Sequence, residues 1–267
     1  MNTISFVTAN YVAQQLNYHM TEGWNQGDTA TMEYYRPIET FHERFDALLG
    51  NIQALGFDAI DLWLAHLHPS WSTPEHITTA QTLLNQHGLQ VKSLAGWFGS
   101  TVEELEASCK LAVALNTSIL AGTSALLPQH RERVIEILQH YNVKLGIENH
   151  PEKNAKEVLD KIGDGANGYI GAAVDTGWFG TQGYDAAQAI IELKDHLLAI
   201  HLKDVLAVGA HDTCRYGKGV VPIEQCVQAL KQIGYTGTIT IEHEPELYDP
   251  TEDIRESYAM LRGWLQT

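Results

Sequence analysis

The sequence predicts one (β/α)8 barrel of the TIM type, and three observations carry that prediction. A short apolar or β-branched run, a polar and aromatic loop, and a stretch of helical period recur eight times along the chain. Helix-length crossovers require parallel strands, and eight such units in 267 residues suit a closed barrel better than an open doubly wound sheet, which stays as the alternative. No GxGxxG follows the first strand and no GxxxxGK[ST] occurs anywhere, so nothing asks for a dinucleotide or P-loop site.

In order, the strand candidates are ISFVTA from Ile4, AIDLWL from Ala59, VKSLAGW from Val91 and TSILAG from Thr117. KLGIENH from Lys144, YIGAAVDT from Tyr169, LLAIHLKD from Leu197 and TITIEHE from Thr238 complete the eight. Segments such as FHERFDALLGNIQAL and TVEELEASCKLAVAL read as the intervening helices. Ser100 or Thr101 ahead of Glu103 and Glu104 is a helix-start signal, as is Pro74 after Ser72 and Thr73, and Gly88 supplies a stop. Two loops are long, about 10–37 after the first strand and 205–222 after the seventh. Both follow the strand end that carries the active site in such barrels, so they are expected to cover it; the first holds Tyr11, Tyr18, His19, Trp24, Tyr34 and Tyr35.

No linker, low-complexity tract or block of like charge divides the chain, so residues 1–267 read as a single domain. The start MNTISFVTAN lacks the basic flank and apolar stretch of a secretory signal, and no apolar run is long enough to cross a bilayer. Cys109, Cys214 and Cys226 form no CxxC pair and leave an odd thiol, which fits a reducing compartment, with the cytoplasm as default. With 17 Lys and Arg against 33 Asp and Glu, a net charge of −16 disfavours nucleic acid and anionic membrane as partners and suits small neutral or cationic molecules.

A buried parallel strand should read as almost unbroken apolar residues, yet four late strands end on ionisable groups. These are Glu148 in LGIENHP, Asp175 in GAAVDTGW, His201 in AIHLKD and Glu242 in TITIEHEP. Each alone reads equally well as an end-of-strand group satisfied by water or helix N-termini, and a bridge from Asp175 to Lys203 would explain a pair of them. A closed barrel brings all four to one point at its mouth, where three carboxylates need a countercharge. One divalent metal ion supplies it, with one imidazole and three carboxylates as ligands. Such a set suits Mn2+ first, or Mg2+, and tolerates Co2+ or Zn2+.

The arrangement resembles the xylose-isomerase-like sugar phosphate isomerase/epimerase superfamily, which also contains endonuclease IV. The resemblance rests on IENHP around Glu148, VDTG around Asp175, HLKD around His201, GKGVVP after it and IEHE around Glu242, and strand–helix order extends it over nearly the whole chain. It implies that these four residues bind one metal and that Glu148 and Glu242 flank the substrate carbon as catalytic groups. Trp178 stands where endonuclease IV-like members and ketose epimerases place a histidine, which disfavours a multi-metal nuclease and departs from the ketose branch; its indole would stack on a sugar face. His211 and Asp212 would form a second metal site only with Trp178 replaced by a ligand.

The expected activity is a divalent-metal-dependent sugar isomerase or epimerase, moving a proton through an enediolate on a small sugar or cyclitol. The alternative on the same site is an inosose-type dehydratase or lyase; a non-catalytic metal- and ligand-binding barrel and an abasic-site endonuclease stand further off. Secondary substrate contacts are expected from His150 and Lys203, each two residues past a ligand on the same strand face, with Glu244 in the same relation to Glu242. Arg215, Trp178, His66 and His68 complete the expected binding set, with Trp71 beside the two histidines and Trp97 and Phe98 as an apolar wall. No glycine-rich nest marks a phosphate site, so an unphosphorylated sugar is favoured, although Arg215 and Lys218 are able to receive a phosphate. Barrels of this kind often pair, so a homo-oligomer is allowed for, with no interface located.

Overall fold

The computed structural model describes residues 2–266, and its strands form a closed parallel barrel in the predicted order. The strands are Ile4–Val7, Ala59–Trp63, Gln90–Trp97, Ile119–Thr123, Lys144–Glu148, Ile170–Asp175, Leu197–Leu202 and Ile239–Ile241, called first to eighth below. The eighth closes on the first, with Ser5 opposite Thr240. Thr240 in turn lies opposite His201, and His201 opposite Asp175, so register alone aligns four polar side chains across four strands.

Helices between the strands start and stop where local chemistry dictates. Thr101 and Glu104 form a capping box at the helix Val102–Ala114, and Thr73 and His76 form another at Pro74–His87, which Gly88 ends in a left-handed conformation. Along Ile38–Ala54, Phe41, Phe45, Leu48, Leu49 and Ile52 are buried at helical spacing against the barrel's outside. The core between strands and helices is built from such side chains. Inside the barrel, by contrast, Ala121, Ala173 and Ala199 make a small cluster of short side chains, which leaves space above it.

The two long loops are more ordered than their length suggested. The first contains the helix Trp24–Tyr35, whose Gly27 lies so close to Val12 that a Cβ would sit 2.5 Å from its carbonyl oxygen. In the second, Asp204–Val205 pairs antiparallel with Thr213–Cys214. The Asp204 carboxylate then accepts hydrogen bonds from the backbone N–H groups of Gly217, Gly219 and Val221, so the GKGVVP stretch is wound around a buried acid. Among the described residues, no helix is long and apolar enough to cross a membrane.

Candidate active site

The C-terminal ends of the strands surround a cavity of about 1010 Å³. Glu148, Asp175, His201 and Glu242 all line it, together with Lys203, Glu244, His150 and Trp178. The fold brings these eight residues, named from the sequence, around one cavity. Trp97 lines it as well, while Phe98 is buried in the core beside it.

Asp175 is set by its neighbours on both sides. The Asn149 side chain donates to the Asp175 carbonyl at 2.8 Å and accepts from its N–H at 2.7 Å. One carboxylate oxygen, Oδ1, takes the N–H groups of Gly177 and Trp178 at the start of the short helix Thr176–Thr181. That leaves Oδ2 for Lys203 Nζ at 3.0 Å. The Lys203 stem lies against Gly177, where an added Cβ would meet its Cγ at 2.6 Å, which gives the glycine of VDTG its reason.

Lys203 Nζ bridges three acids: Asp175, Glu242 Oε1 at 2.5 Å and Glu244 Oε2 at 3.1 Å. The other oxygen of Glu242 faces His201 Nδ1 at 2.5 Å. His201 Nε2 meets Asp61 Oδ2 at 3.0 Å, and Asp61 is itself held by the hydroxyls of Ser5 and Thr240, both at 2.8 Å. A carboxylate on the far ring nitrogen fixes the imidazole's orientation and raises its basicity. Asp61, in AIDLWL of the second strand, is the member of this hydrogen-bonded cluster that the sequence did not single out. Its signal was a lone acid in an otherwise apolar strand, the same violation that marked the other four.

Burial disfavours charge on every member of this cluster, and the pairing decides which members stay ionised. For Glu242, burial is outweighed by Lys203 and His201, which hold its carboxyl well below the ordinary range. For His201 and Lys203, burial is outweighed by the facing carboxylates, and both are raised well above their usual values. For Glu148 the pull of Lys203 and His201 is outweighed. Burial first, then the charges of Glu242 and Asp175, push it up to about 7. Glu244 is pushed to about 8 by burial, against the pull of Lys203.

Five carboxylates, those of Asp61, Glu148, Asp175, Glu242 and Glu244, thus face only two cationic groups. That deficit, the imidazole already oriented by Asp61 and the unpartnered carboxyl of Glu148 fit the residues to a divalent cation. The side chains as they stand are not a ready coordination shell: among the described residues no three His, Cys, Asp or Glu groups are disposed to hold a metal ion. The Lys203 ammonium takes the central place among the acids.

The remaining expected contacts divide. His150 is exposed and stacks on Trp178 with ring centroids 3.6 Å apart, so one face of the indole expected to receive a sugar is already covered. His211 packs toward the same indole at 4.9 Å rather than pairing with Asp212 as a ligand. His66 does not face the cavity. It is buried, with Nδ1 3.1 Å from Thr8 Oγ1 and its ring against Tyr35 and Trp63, because the chain turns inward after the second strand. His68 is likewise turned away and bonds Ser70 at 2.7 Å. Trp71 packs on the core. Arg215 is paired with Glu256 on the last helix, and neither it nor Lys218 lines the cavity.

A family model described as xylose isomerase-like TIM barrel matches residues 49–264. L-ribulose-5-phosphate 3-epimerase UlaE from Escherichia coli is 37% identical over 71 residues, 27% of this chain and 24% of that protein. The chain therefore aligns with about a quarter of the length of that curated relative. Among solved structures, a D-tagatose 3-epimerase-like protein superposes with a TM-score of 0.69 at 16% identity, covering 99% of this chain and 97% of the other. D-allulose 3-epimerase from Methylomonas sp., in complex with D-allulose, gives 0.68 at 15% identity, covering 98% and 96%. Identities this low speak to the fold.

Proposed function

The chain belongs to the xylose isomerase-like TIM barrel family, and from that premise we propose that it is a divalent-metal-dependent isomerase or epimerase of a neutral, unphosphorylated sugar or cyclitol. The observation that carries the reading is the contrast between two glutamates on one cavity. Both oxygens of Glu242 are engaged, by His201 and by Lys203, while among the described residues no hydrogen bond reaches the Glu148 carboxylate, which lines the cavity with burial and the neighbouring acids favouring its taking up a proton.

In this reading Glu148 removes the proton from the substrate carbon next to a carbonyl. For epimerisation Glu148 keeps that proton and a second one reaches the opposite face through Glu242, drawn from the protonated His201 or Lys203 bonded to it; for aldose–ketose isomerisation Glu148 returns its proton to the neighbouring carbon. Lys203 and Asp61 hold Glu242 and His201 in place throughout, and the exposed His150 is within the same cavity to bind a substrate hydroxyl. Glu148, Asp175, His201 and Glu242 are the residues that would hold the metal, and Mn2+ or Mg2+ suits three carboxylates with one imidazole. When bound, the ion supplies the Lewis acidity that stabilises negative charge developing on the carbonyl oxygen.

Substrate neutrality follows from what lines the site. Lys203 is the sole Lys or Arg among the cavity's lining residues, and its ammonium is already shared by three acids. A phosphate would meet Glu148, Glu242, Glu244 and Glu246 with no free cation to receive it. The experiment is elemental analysis of the purified protein beside its Glu148→Gln and His201→Ala variants, coupled to solvent deuterium uptake into ketoses, aldoses and inososes. One metal per chain, lost in His201→Ala, with exchange abolished in Glu148→Gln, is the expected result. Absence of metal after Mn2+ loading would sink the proposal.

A further inference from the structure

The cavity is larger than a single sugar ring needs, and its two sides differ in kind. At about 1010 Å³ it stands at the top of the range, roughly 300–1,000 Å³, that encloses drug-sized ligands. Its ionisable groups come from the fifth to eighth strands and the loops that follow them. The side built by the first four strands presents Val7, Trp24, Trp63, Ala95, Trp97 and Ala121, with Asn25 and Thr123 as its polar side chains and no ionisable one. Two of its tryptophans are open to solvent, Trp24 by 39% and Trp97 by 51%, and Trp24 sits edge-on to the buried Trp63 at 5.0 Å.

We infer that this apolar side is a second subsite, and that the substrate is a neutral two-ring molecule: a reacting keto-sugar that carries a second sugar or aromatic ring. The inference rests on the isomerase or epimerase reading of the acidic side. The reacting ring occupies the acidic side, where its hydroxyls and carbonyl meet Glu148 and Glu242. The attached ring then lies across the barrel mouth against Trp97 and Trp24. A sugar or phenyl ring offers one apolar face, and a half-exposed indole is the surface that gains most from covering it. Ala95 and Ala121 line the cavity with short side chains, which adds to the room on this side. The proton transfer is unchanged by the second ring: one C–H bond breaks, one forms, and nothing is oxidised or reduced overall.

The test compares the metal-loaded wild type with Trp97→Ala in two assays, after thermal melting has verified that the variant is folded. The first is solvent deuterium uptake into D-fructose and into lactulose, which carries a second ring on the same ketose. The second is quenching of tryptophan fluorescence by phenyl β-D-glucoside against methyl β-D-glucoside. The expected result is a kcat/KM at least tenfold higher for the two-ring ketose, a preference reduced about tenfold in Trp97→Ala, and saturable quenching by the phenyl glycoside that the variant loses. Equal kcat/KM for the two ketoses, with no selective quenching, overturns the subsite and leaves the proposed activity standing. Selective, Trp97-dependent quenching without deuterium uptake into any sugar supports the subsite and removes the proposed activity. Neither exchange nor quenching overturns both.

Discussion

The acidic and apolar sides of the barrel mouth are built from the same kind of strand and do opposite things. On the acidic side, buried charges are held by one another: Lys203 among Asp175, Glu242 and Glu244, and His201 between Glu242 and Asp61. On the apolar side, Trp63 lies opposite Ala95, and Trp97 follows Ala95 two residues on along the third strand. The first arrangement stores electrostatic cost that chemistry can use, and the second offers surface that binding can use. A change that touches charge is therefore expected to move turnover and stability together, whereas a change among the tryptophans moves substrate choice.

The largest expected effect is on Glu148, the acid in which burial and neighbouring carboxylates outweigh the pull of Lys203 and His201. Replacing Glu148 with Gln should cut solvent deuterium incorporation by about 10²–10⁴, the usual worth of a positioned acid–base group. The same change should not lower the melting temperature, because it removes a carboxylate repelled by Glu242 and Asp175. A variant that melts well below the wild type would mean that Glu148 is a structural partner and not a poised base.

Next in size is the ammonium at the centre of the cluster. Lys203→Met leaves three acids without their shared cation, and breaking a buried ion pair from one side costs about 3–5 kcal/mol. Chemical denaturation reads the loss directly. Excess Mn2+ should restore part of it, and raise the variant's stability by more than the wild type's, because the ion and the ammonium answer the same carboxylates. Equal metal effects on both proteins would separate the Lys203 cluster from the metal site.

Asp61→Asn tests the support behind His201. Loss of a carboxylate that orients a ligating imidazole typically weakens metal affinity by about 10–100-fold, and competition with a fluorescent chelator measures it. Unaltered affinity would show that His201 is held by Glu242 alone.

These residues also mark how far the sequence was legible. The barrel was readable because eight strand-and-helix units, the Thr101 and Thr73 caps and the Gly88 stop are local signals, and each forms where its chemistry requires. Glu148, Asp175, His201 and Glu242 were readable because an ionisable group in an apolar strand breaks the pattern. Asp61 carried the same signal, but an isolated acid in an early strand has no partner visible in sequence; only barrel closure brings Ser5, Thr240 and His201 to it. The apolar side was legible only at Trp97, expected as part of an apolar wall, and at Trp24 in the covering loop, since Val7, Trp63 and Ala95 in a strand look like ordinary core. His66 misled for the converse reason: a histidine after a strand resembles a site residue, and nothing local reveals that the chain folds it beneath Trp63.

That buried histidine gives the smallest expected effect and ties it to the apolar side. Thr8 Oγ1 accepts the Trp63 N–H at 2.9 Å, so its own hydroxyl hydrogen is free to point at His66 Nδ1, which requires that nitrogen unprotonated. Burial lowers the His66 pKa to about 3, against an unfolded value of about 6.5. Between those values the unfolded chain binds a proton that the folded chain refuses, so this group's contribution is complete above about 6.5, declines as pH falls through the window and is gone below about 3. The slope approaches 1.4 kcal/mol per pH unit at its steepest. Denaturation of the wild type and of His66→Gln at a series of pH values isolates it, since the other groups titrate in both. The wild type should lose stability more steeply than the variant between about pH 6.5 and 4, with quenching of the exposed tryptophans changing over the same range. Parallel profiles would show that acid loosens the charged side first and that the support under Trp63 does not titrate.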